Sequence, residues 1–286
     1  MIETVLVPVD FTIEKEDLLG CIGGEFKNAG LKKVILLHVV DIHKSQGGLA
    51  PMFERNAKKR IEDYTGFAEE LGGLETEALV VVGDIKRTIS ETADRKNVDA
   101  IIMGATAKGF IKGRFLGRTT EHIARSSKKI LLVEKYDALK EGKEFYKNAC
   151  RATFSRVLVP LDFSKESMKA IEQLQEFGGI VKEVLLLHVI DNIKDMDLLD
   201  EQREEAKGKL GRIKEQLTGI KSQYLVVEGI PSDEIVKFAN IEEATMIMLT
   251  SRGKGGFDRP DTREHGRKRS PKNHKTRINY PCEQRI

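Results

Sequence analysis

The chain carries one unit written twice. Residues 3–11 read E-T-V-L-V-P-V-D-F and residues 155–163 read S-R-V-L-V-P-L-D-F. Residues 33–41 read K-V-I-L-L-H-V-V-D, and residues 182–191 read K-E-V-L-L-L-H-V-I-D. Each run is β-branched and apolar on both faces, as strands of a parallel sheet are when helices cover both sides. Between the runs lie helical stripes of spacing three and four. Phe53, Ala57, Ile61, Tyr64, Ala68 and Leu71 form the first, and Leu199, Ala206, Leu210, Ile213 and Leu217 the second.

The rest of the first copy continues the alternation. Ala78 to Val82 reads as a third strand, and Asp84 as the cap of a helix carrying Ile85, Ile89 and Ala93. Ala100 to Met103 is a fourth strand, Thr119 to Ser127 a helix and Ile130 to Val133 a fifth strand; Thr12 is placed to cap the helix after strand one. In the second copy Tyr224 to Gly229 is a strand, and Pro231 suits a first helical turn. Strands alternating with helices predict an α/β protein of two tandem doubly wound domains, each a five-stranded parallel sheet with helices on both faces. The expected divisions are 1–136 for the first domain, 137–154 for a polar, lysine-rich linker, 155–257 for a second domain lacking its last helix and strand, and 258–286 for a tail.

Composition excludes some classes. With 286 residues, 40% of them hydrophobic and 33% charged, each half can bury a core, and a net charge of +3 selects no partner. Nothing approaches about 18 consecutive apolar residues, and the first residues run directly into a strand, so a soluble cytoplasmic protein is expected. Cys21, Cys150 and Cys282 are odd in number and share no metal-like spacing, which suits a reducing compartment. Lys and Glu dominate the charges and Trp is absent, a composition that hints at a thermophilic source.

Ligands of such sheets gather outside the carboxyl ends of the strands, where Asp10, His38, Val39 and Gly104 fall. Ala100 to Glu121 reads A-I-I-M-G-A-T-A-K-G-F-I-K-G-R-F-L-G-R-T-T-E, a strand end, a glycine-rich loop and a helix start. A loop feeding a helix N-terminus offers backbone N–H groups to an anion, and glycine admits close approach, so the stretch reads as a nucleotide phosphate site. A glycine-rich loop that only turns is the alternative. His38 and His188 recur at a strand end, where a histidine on an apolar strand is more often a hydrogen-bonded core residue than an acid or base.

The V-L-V-P-V-D and V-L-V-P-L-D strands, the L-L-H-V-V-D and L-L-H-V-I-D strands and the loop after strand four resemble a tandem universal stress protein. Members that bind ATP carry G-x-x-G, nine residues, then G-[S/T] in that loop. Gly104 matches the first glycine, Ala107 stands in place of the second, Gly117 matches the third, Arg118 replaces the hydroxyl residue, and Thr120 fits a threonine two positions on. The resemblance implies a site of Pro8, Asp10, Val39, Met103, Gly104, Ala107, Gly117, Arg118, Thr119 and Thr120, with Asp10 on the ribose and Val39 against adenine. A helix-capping carboxylate is the other reading of Asp10. Alanine adds a methyl group at a tight approach, while the arginine adds a charge that can pair with phosphate. The implied ligand is ATP or AMP, with or without magnesium (Mg2+). Weaker candidates in the second copy are Asp162, Val189, Thr250, which replaces the first glycine, and Gly253, which keeps the second. The family pairs through fifth strands, so a homodimer through Ile130 to Val133 is expected, with neither membrane nor nucleic acid as partner.

After Phe257 the pattern stops, and residues 258–286 show no apolar period. A basic nucleic-acid arm is one reading. A frameshift is the preferred one. Thr262 to Gly266, read one base later, permits Leu-Gly-Ser-Thr-Ala; Arg267 to Arg269 then permits Glu-Asn-Val, and Lys275 to Tyr280 permits Lys-Pro-Val-Leu-Ile. Read backwards, Arg259 to Asp261 permits Asp-Leu-Ile, which places a single-base slip near Phe257.

Three functions follow from these residues. The first is a stress-response or signalling protein that binds an adenine nucleotide in the first domain. The second is a slow ATPase or another ATP-cleaving enzyme of the same superfamily. Ligases and sulfur-transfer enzymes with this sheet carry S-G-G-x-D-S after strand one, whereas this chain reads D-F-T-I-E-K there. Phe110 follows Gly104 to Gly109 where a Walker loop would need Lys and Ser or Thr. No catalytic group recurs beside both loops. The third is a flavoprotein-like electron carrier.

Overall fold

The computed structural model describes residues 2–28, 30–43, 48–70, 73–105, 118–135, 152–177, 179–191 and 196–250. In the first half the elements are β1 (Thr4–Pro8), α1 (Lys15–Cys21) running into a π-helical turn (Ile22–Phe26), β2 (Lys33–Asp41), α2 (Ala50–Glu70), β3 (Glu75–Gly83), α3 (Ile85–Arg95), β4 (Ala100–Ala105), α4 (Arg118–Ser126) and β5 (Ile130–Lys135). The second half has β6 (Arg156–Pro160), α5 (Lys165–Glu176), β7 (Glu183–Ile190), α6 (Met196–Gln216), β8 (Lys221–Glu228), α7 (Pro231–Ile241) and β9 (Met246–Ile247). Among the described residues the sheets have five and four strands, ordered β3-β2-β1-β4-β5 and β8-β7-β6-β9, and every pairing is parallel.

Alternation along each strand feeds two cores. Val5 and Val7 join Val34, Leu36, Ala100 and Ile102 on one face, under Leu18 and Leu19 of α1 and Ile61, Tyr64 and Ala68 of α2. Leu6 joins Ile35, Leu37, Ile101, Met103, Leu131 and Val133 on the other, under Ile89 and Ala93 of α3 and Ile123 and Ala124 of α4. Burying each such aliphatic side chain contributes about 1.5–3 kcal/mol, which is why an apolar run on both faces commits the segment to a central strand. Phe154, which composition assigned to the linker, is buried; its ring meets Phe26 edge-on at 5.3 Å and stacks on Phe177 at 5.7 Å.

The strand that carries the candidate site is pinned at its start. Asp99, just before β4, accepts hydrogen bonds from the Glu3 and Thr4 amides, each at 2.9 Å. Thr245 does the same work before β9, accepting from the Arg156 amide at 2.8 Å and donating to the Thr153 carbonyl at 3.1 Å. Asp84 caps α3 as expected, accepting from the Arg87 amide at 2.9 Å. Two local expectations change. β4 runs through Gly104 and Ala105, which pair with Glu134 and Lys135, so Gly104 sits inside the strand and does not open the loop. Thr12 does not cap α1, which follows Glu14 and has no side-chain cap, because its hydroxyl is spent on Asp10.

Candidate functional site

Strand order reverses at β1, with β2 on one side and β4 on the other. The following helices leave toward opposite faces, which opens a crevice beyond the carboxyl ends of β1 and β4. Because β4 and β5 are parallel, α4 must run back across the sheet, so its N-terminus lies at the same end as that crevice. Asp10 stands just past β1, Gly104 is exposed near the end of β4, and Val39 is half-buried on β2. Arg118 is exposed at the first position of α4, and Thr119 is half-buried. Thr120 is 3% exposed and is buried along with Ile123 and Ala124 of α4. Pro8 closes β1 opposite Leu37, and Met103 is buried in the core beneath the crevice. Ala107, Gly117 and Gly253 lie outside the described residues.

The turn that presents Asp10 is built the same way in both halves. Asp10 Oδ1 accepts from the Thr12 amide at 3.0 Å and the Thr12 hydroxyl at 2.6 Å. Between them Phe11 adopts φ +62°, left-handed backbone that costs a side chain of its kind about 1–2 kcal/mol. Its ring is held on three sides. It stacks on His38 at 4.5 Å, meets Tyr64 edge-on at 5.6 Å, and lies under the Arg60 guanidinium at 4.3 Å. Tyr64 donates its hydroxyl to the Ile13 carbonyl at 2.5 Å, and Arg60 donates to the Phe11 carbonyl at 3.3 Å. In the second half Phe163 has φ +58°, stacks on His188 at 4.4 Å and lies under Lys209 Nζ at 5.1 Å. Asp162 Oδ1 accepts from the Ser164 amide at 2.9 Å, and Ser164 also caps α5 by accepting from the Ser167 amide at 3.1 Å.

Each histidine is fixed by its Nδ1. The distance is 2.7 Å from His38 to the Val9 carbonyl and 2.7 Å from His188 to the Leu161 carbonyl. A carbonyl oxygen only accepts, so Nδ1 carries the proton and donates it. Burial pushes the His38 pKa below the ordinary 6.5 and the Arg60 charge adds to this, against the opposing pull of the Val9 carbonyl and Asp10. The ring is therefore neutral near pH 7. It braces the turn that carries Asp10.

Sequence reasoning found Asp10, Val39 and Gly104 together at one end of the sheet, and the structure brings them there. Val189 is half-buried on β7, Asp162 is half-buried after β6, and Thr250 is half-buried just past β9. It did not single out Phe11, Arg60 and Tyr64, or Phe163 and Lys209. A signal was available, because phenylalanine follows the aspartate in both V-P-V-D-F and V-P-L-D-F. Among the described residues no group of three or more His, Cys, Asp or Glu is arranged to hold a metal, and no helix is long and apolar enough to cross a membrane.

Known proteins match both halves. The model of the Universal stress protein family covers residues 1–135 and 153–260. Universal stress protein MJ0577 of Methanocaldococcus jannaschii is 33% identical over 127 residues, 35% of this chain and 78% of that one. Universal stress protein MJ0531 of the same organism is 29% identical over 150 residues, 46% of this chain and 81% of that one. A solved universal stress protein from Archaeoglobus fulgidus DSM 4304 shares the fold across 89% of both chains, with a TM-score of 0.68 at 23% identity.

Proposed function

We propose, because the chain belongs to the universal stress protein family and its first half keeps the β1–β4 crevice, that this half binds an adenine nucleotide, ATP or AMP. The observation that carries the reading is that the first half places the braced Asp10 turn and the N-terminus of α4 at the same end of adjacent strands β1 and β4. Such a carboxylate accepts hydrogen bonds from ribose hydroxyls. The first amides of α4 and the exposed Arg118 guanidinium meet the phosphates, and the half-buried Val39 offers an apolar surface to the base. Arg118 at that position supplies a phosphate contact by charge where a hydroxyl would supply it by hydrogen bonding. The role is a stress-response or signalling protein whose partner choice depends on the bound nucleotide. A homodimer joined along β5 completes the assembly, since among the described residues β5 pairs with β4 alone.

The test starts with the full chain as purified. Nucleotide released by denaturation is identified, and ATP and AMP are then titrated into the emptied protein by calorimetry. Asp10→Ala removes hydrogen bonds to a charged acceptor worth about 1.5–3 kcal/mol, so affinity falls roughly ten- to hundredfold. Gly104→Val and Gly117→Val place side chains at the approach to the main chain and abolish binding. Wild-type affinity retained in all three variants moves the site elsewhere and refutes the reading.

A further inference from the structure

We propose that the open face of the second half is the seat of a helix and a strand encoded by this same gene one base out of register with residues 258–280. No nucleotide takes part in this. It starts from the register shared by the two sheets. Val5 pairs with Ala100 and Leu6 with Ile101, while Val157 pairs with Met246 and Leu158 with Ile247. From β3 onward the halves therefore correspond at a constant offset of 146, which also matches Gly83 to Gly229 at the two strand ends.

At that offset the described residues of the second half are short of a layer. In the first half Ile89 and Thr92 of α3 are each 1% exposed, and the Ser90 hydroxyl is buried. The counterparts on α7 are Ile235 and Phe238, both only half-buried, and Val236, which is 56% exposed. The core on this face of the first half includes Ile123 and Ala124 of α4 and Leu131 and Val133 of β5. The matching cluster of the second half consists of Leu158, Leu185, Leu187, Ala239, Ala244 and Ile247, and among the described residues β9 pairs with β6 alone.

The four missing core positions fall at 269, 270, 277 and 279, which hold Arg269, Ser270, Arg277 and Asn279. None of these suits a core. Read one base later, the same codons permit valine, leucine, valine and isoleucine. The match extends to the positions between. Leu116, Gly117, Thr119, Glu121, Lys129 and Leu132 of the first half correspond to 262, 263, 265, 267, 275 and 278, and the shifted codons permit the same residue at all six. Codon degeneracy makes any one agreement cheap. Agreement at the glycine before the helix, at four core positions and at the strand, all at an offset set by hydrogen-bond register, is not.

The gene decides the first half of the proposal. Leucine, glycine, serine, threonine and alanine in the shifted frame require ACT, then CGG or AGG, then GAG-CAC-GGC for Thr262 to Gly266. An Arg263 codon other than CGG or AGG, or a shifted-frame stop before position 280, overturns the idea. The protein decides the second. The full chain is made as written and with one base removed after the Phe257 codon, and amide exchange is followed along α7. Exchange in Pro231–Ile241 slows about tenfold or more in the restored chain. Val236→Lys, harmless in the chain as written because the side chain faces solvent, reverses that protection. Equal exchange of α7 in the two chains overturns the proposal.

Discussion

Replacing His38 with leucine removes three things at once: the Nδ1 hydrogen bond to the Val9 carbonyl, the stack on Phe11, and part of what holds Phe11 in left-handed backbone. Leaving the half-buried carbonyl without a donor costs about 1–3 kcal/mol, and the lost ring pair about 0.5–1.5 kcal/mol. Against that, Phe11 at φ +62° is free to relax, which returns up to about 1–2 kcal/mol of strain. The expected net loss is roughly 1–3 kcal/mol, confined to the first half. Native-state amide exchange of β1 reads it, because those amides report the first half and not the mean of two. Phe11→Gly supplies the second edge of a double-mutant cycle: it removes the strain and the ring together. The cycle should show a coupling of about 0.5–1.5 kcal/mol, since residue 11 no longer has a ring for His38 to brace. Nucleotide affinity should fall in His38→Leu while the fold survives, because the turn carrying Asp10 loosens. Additivity within about 0.3 kcal/mol, with affinity unchanged, would refute the account of His38 as the brace of that turn.

Other predictions are smaller in scope. Asp99→Ala strands two amides at the start of β1 and should cost about 1.5–3 kcal/mol in denaturant unfolding, whereas Asp99→Asn keeps an acceptor and costs less. Gly229 has φ +142°, and a Cβ there would meet Glu234 Cγ at 2.9 Å, so Gly229→Ala should lower stability by about 1–3 kcal/mol. Its counterpart Gly83 does not have a positive φ, so although a Cβ there would meet the Thr88 hydroxyl at 2.6 Å and shift it, Gly83→Ala adds no left-handed strain and costs less. Glu77 is held below the ordinary 4.5 chiefly by Lys96 and also by Lys33, so its folded pKa lies below its unfolded one. That stabilisation is present above pH 4.5 and lost as pH falls through the folded pKa, and Lys96→Met should flatten this part of an acid titration. His38, also depressed, makes stability fall as pH drops below 6.5, and His38→Leu should erase that slope. Size measurement in solution should show two chains associated, and a charged substitution on the β5 edge should separate them; a strict monomer at all concentrations removes the β5 pairing.

Most of the fold was legible because its signal is carried by neighbours in sequence. Val5-Leu6-Val7 and Val34 to Leu37 are apolar on both faces, and only a covered parallel strand uses both. Of the stripe from Phe53 to Leu71, Ala57, Ile61, Tyr64 and Ala68 are the buried face of α2, whereas Phe53 is 39% exposed near the start of the helix and Leu71 lies outside the described residues. What failed were end effects, where a tertiary partner competes with the local rule. Thr12 has the right chemistry for a cap, but Asp10 takes its hydroxyl and its amide first, so α1 starts at Lys15 without one. Gly104 looked like a loop opener because glycine is poor in strands, yet pairing with Glu134 carries β4 past it. The site was half legible. Asp10, Val39 and Gly104 were found from topology, while Arg60 and Tyr64 sit about fifty positions from Phe11 and reach it only through the packing of α2 on the sheet.

The two halves separate what the fold demands from what a ligand selects. The left-handed phenylalanine, the histidine beneath it, the cation above it and the aspartate before it occur in both, with ring distances of 4.5 and 4.4 Å and carbonyl bonds of 2.7 Å in each. A strained turn reproduced that closely serves the strand end itself, since the fourth strands that face it differ. Gly104 becomes Thr250 at the corresponding position, and α4 with Arg118 has no counterpart among the described residues of the second half. The turn thus supplies a carboxylate in either half, and on the proposed reading the segment after the fourth strand decides whether an anion joins it. Thr250→Gly in the chain as written should accordingly confer no second binding event, whereas Gly104→Thr should weaken the first. Calorimetric stoichiometry of the full-length variants reads both, and a second site gained from Thr250→Gly alone would show that the braced turn, and not the helix that follows the fourth strand, sets where nucleotide binds.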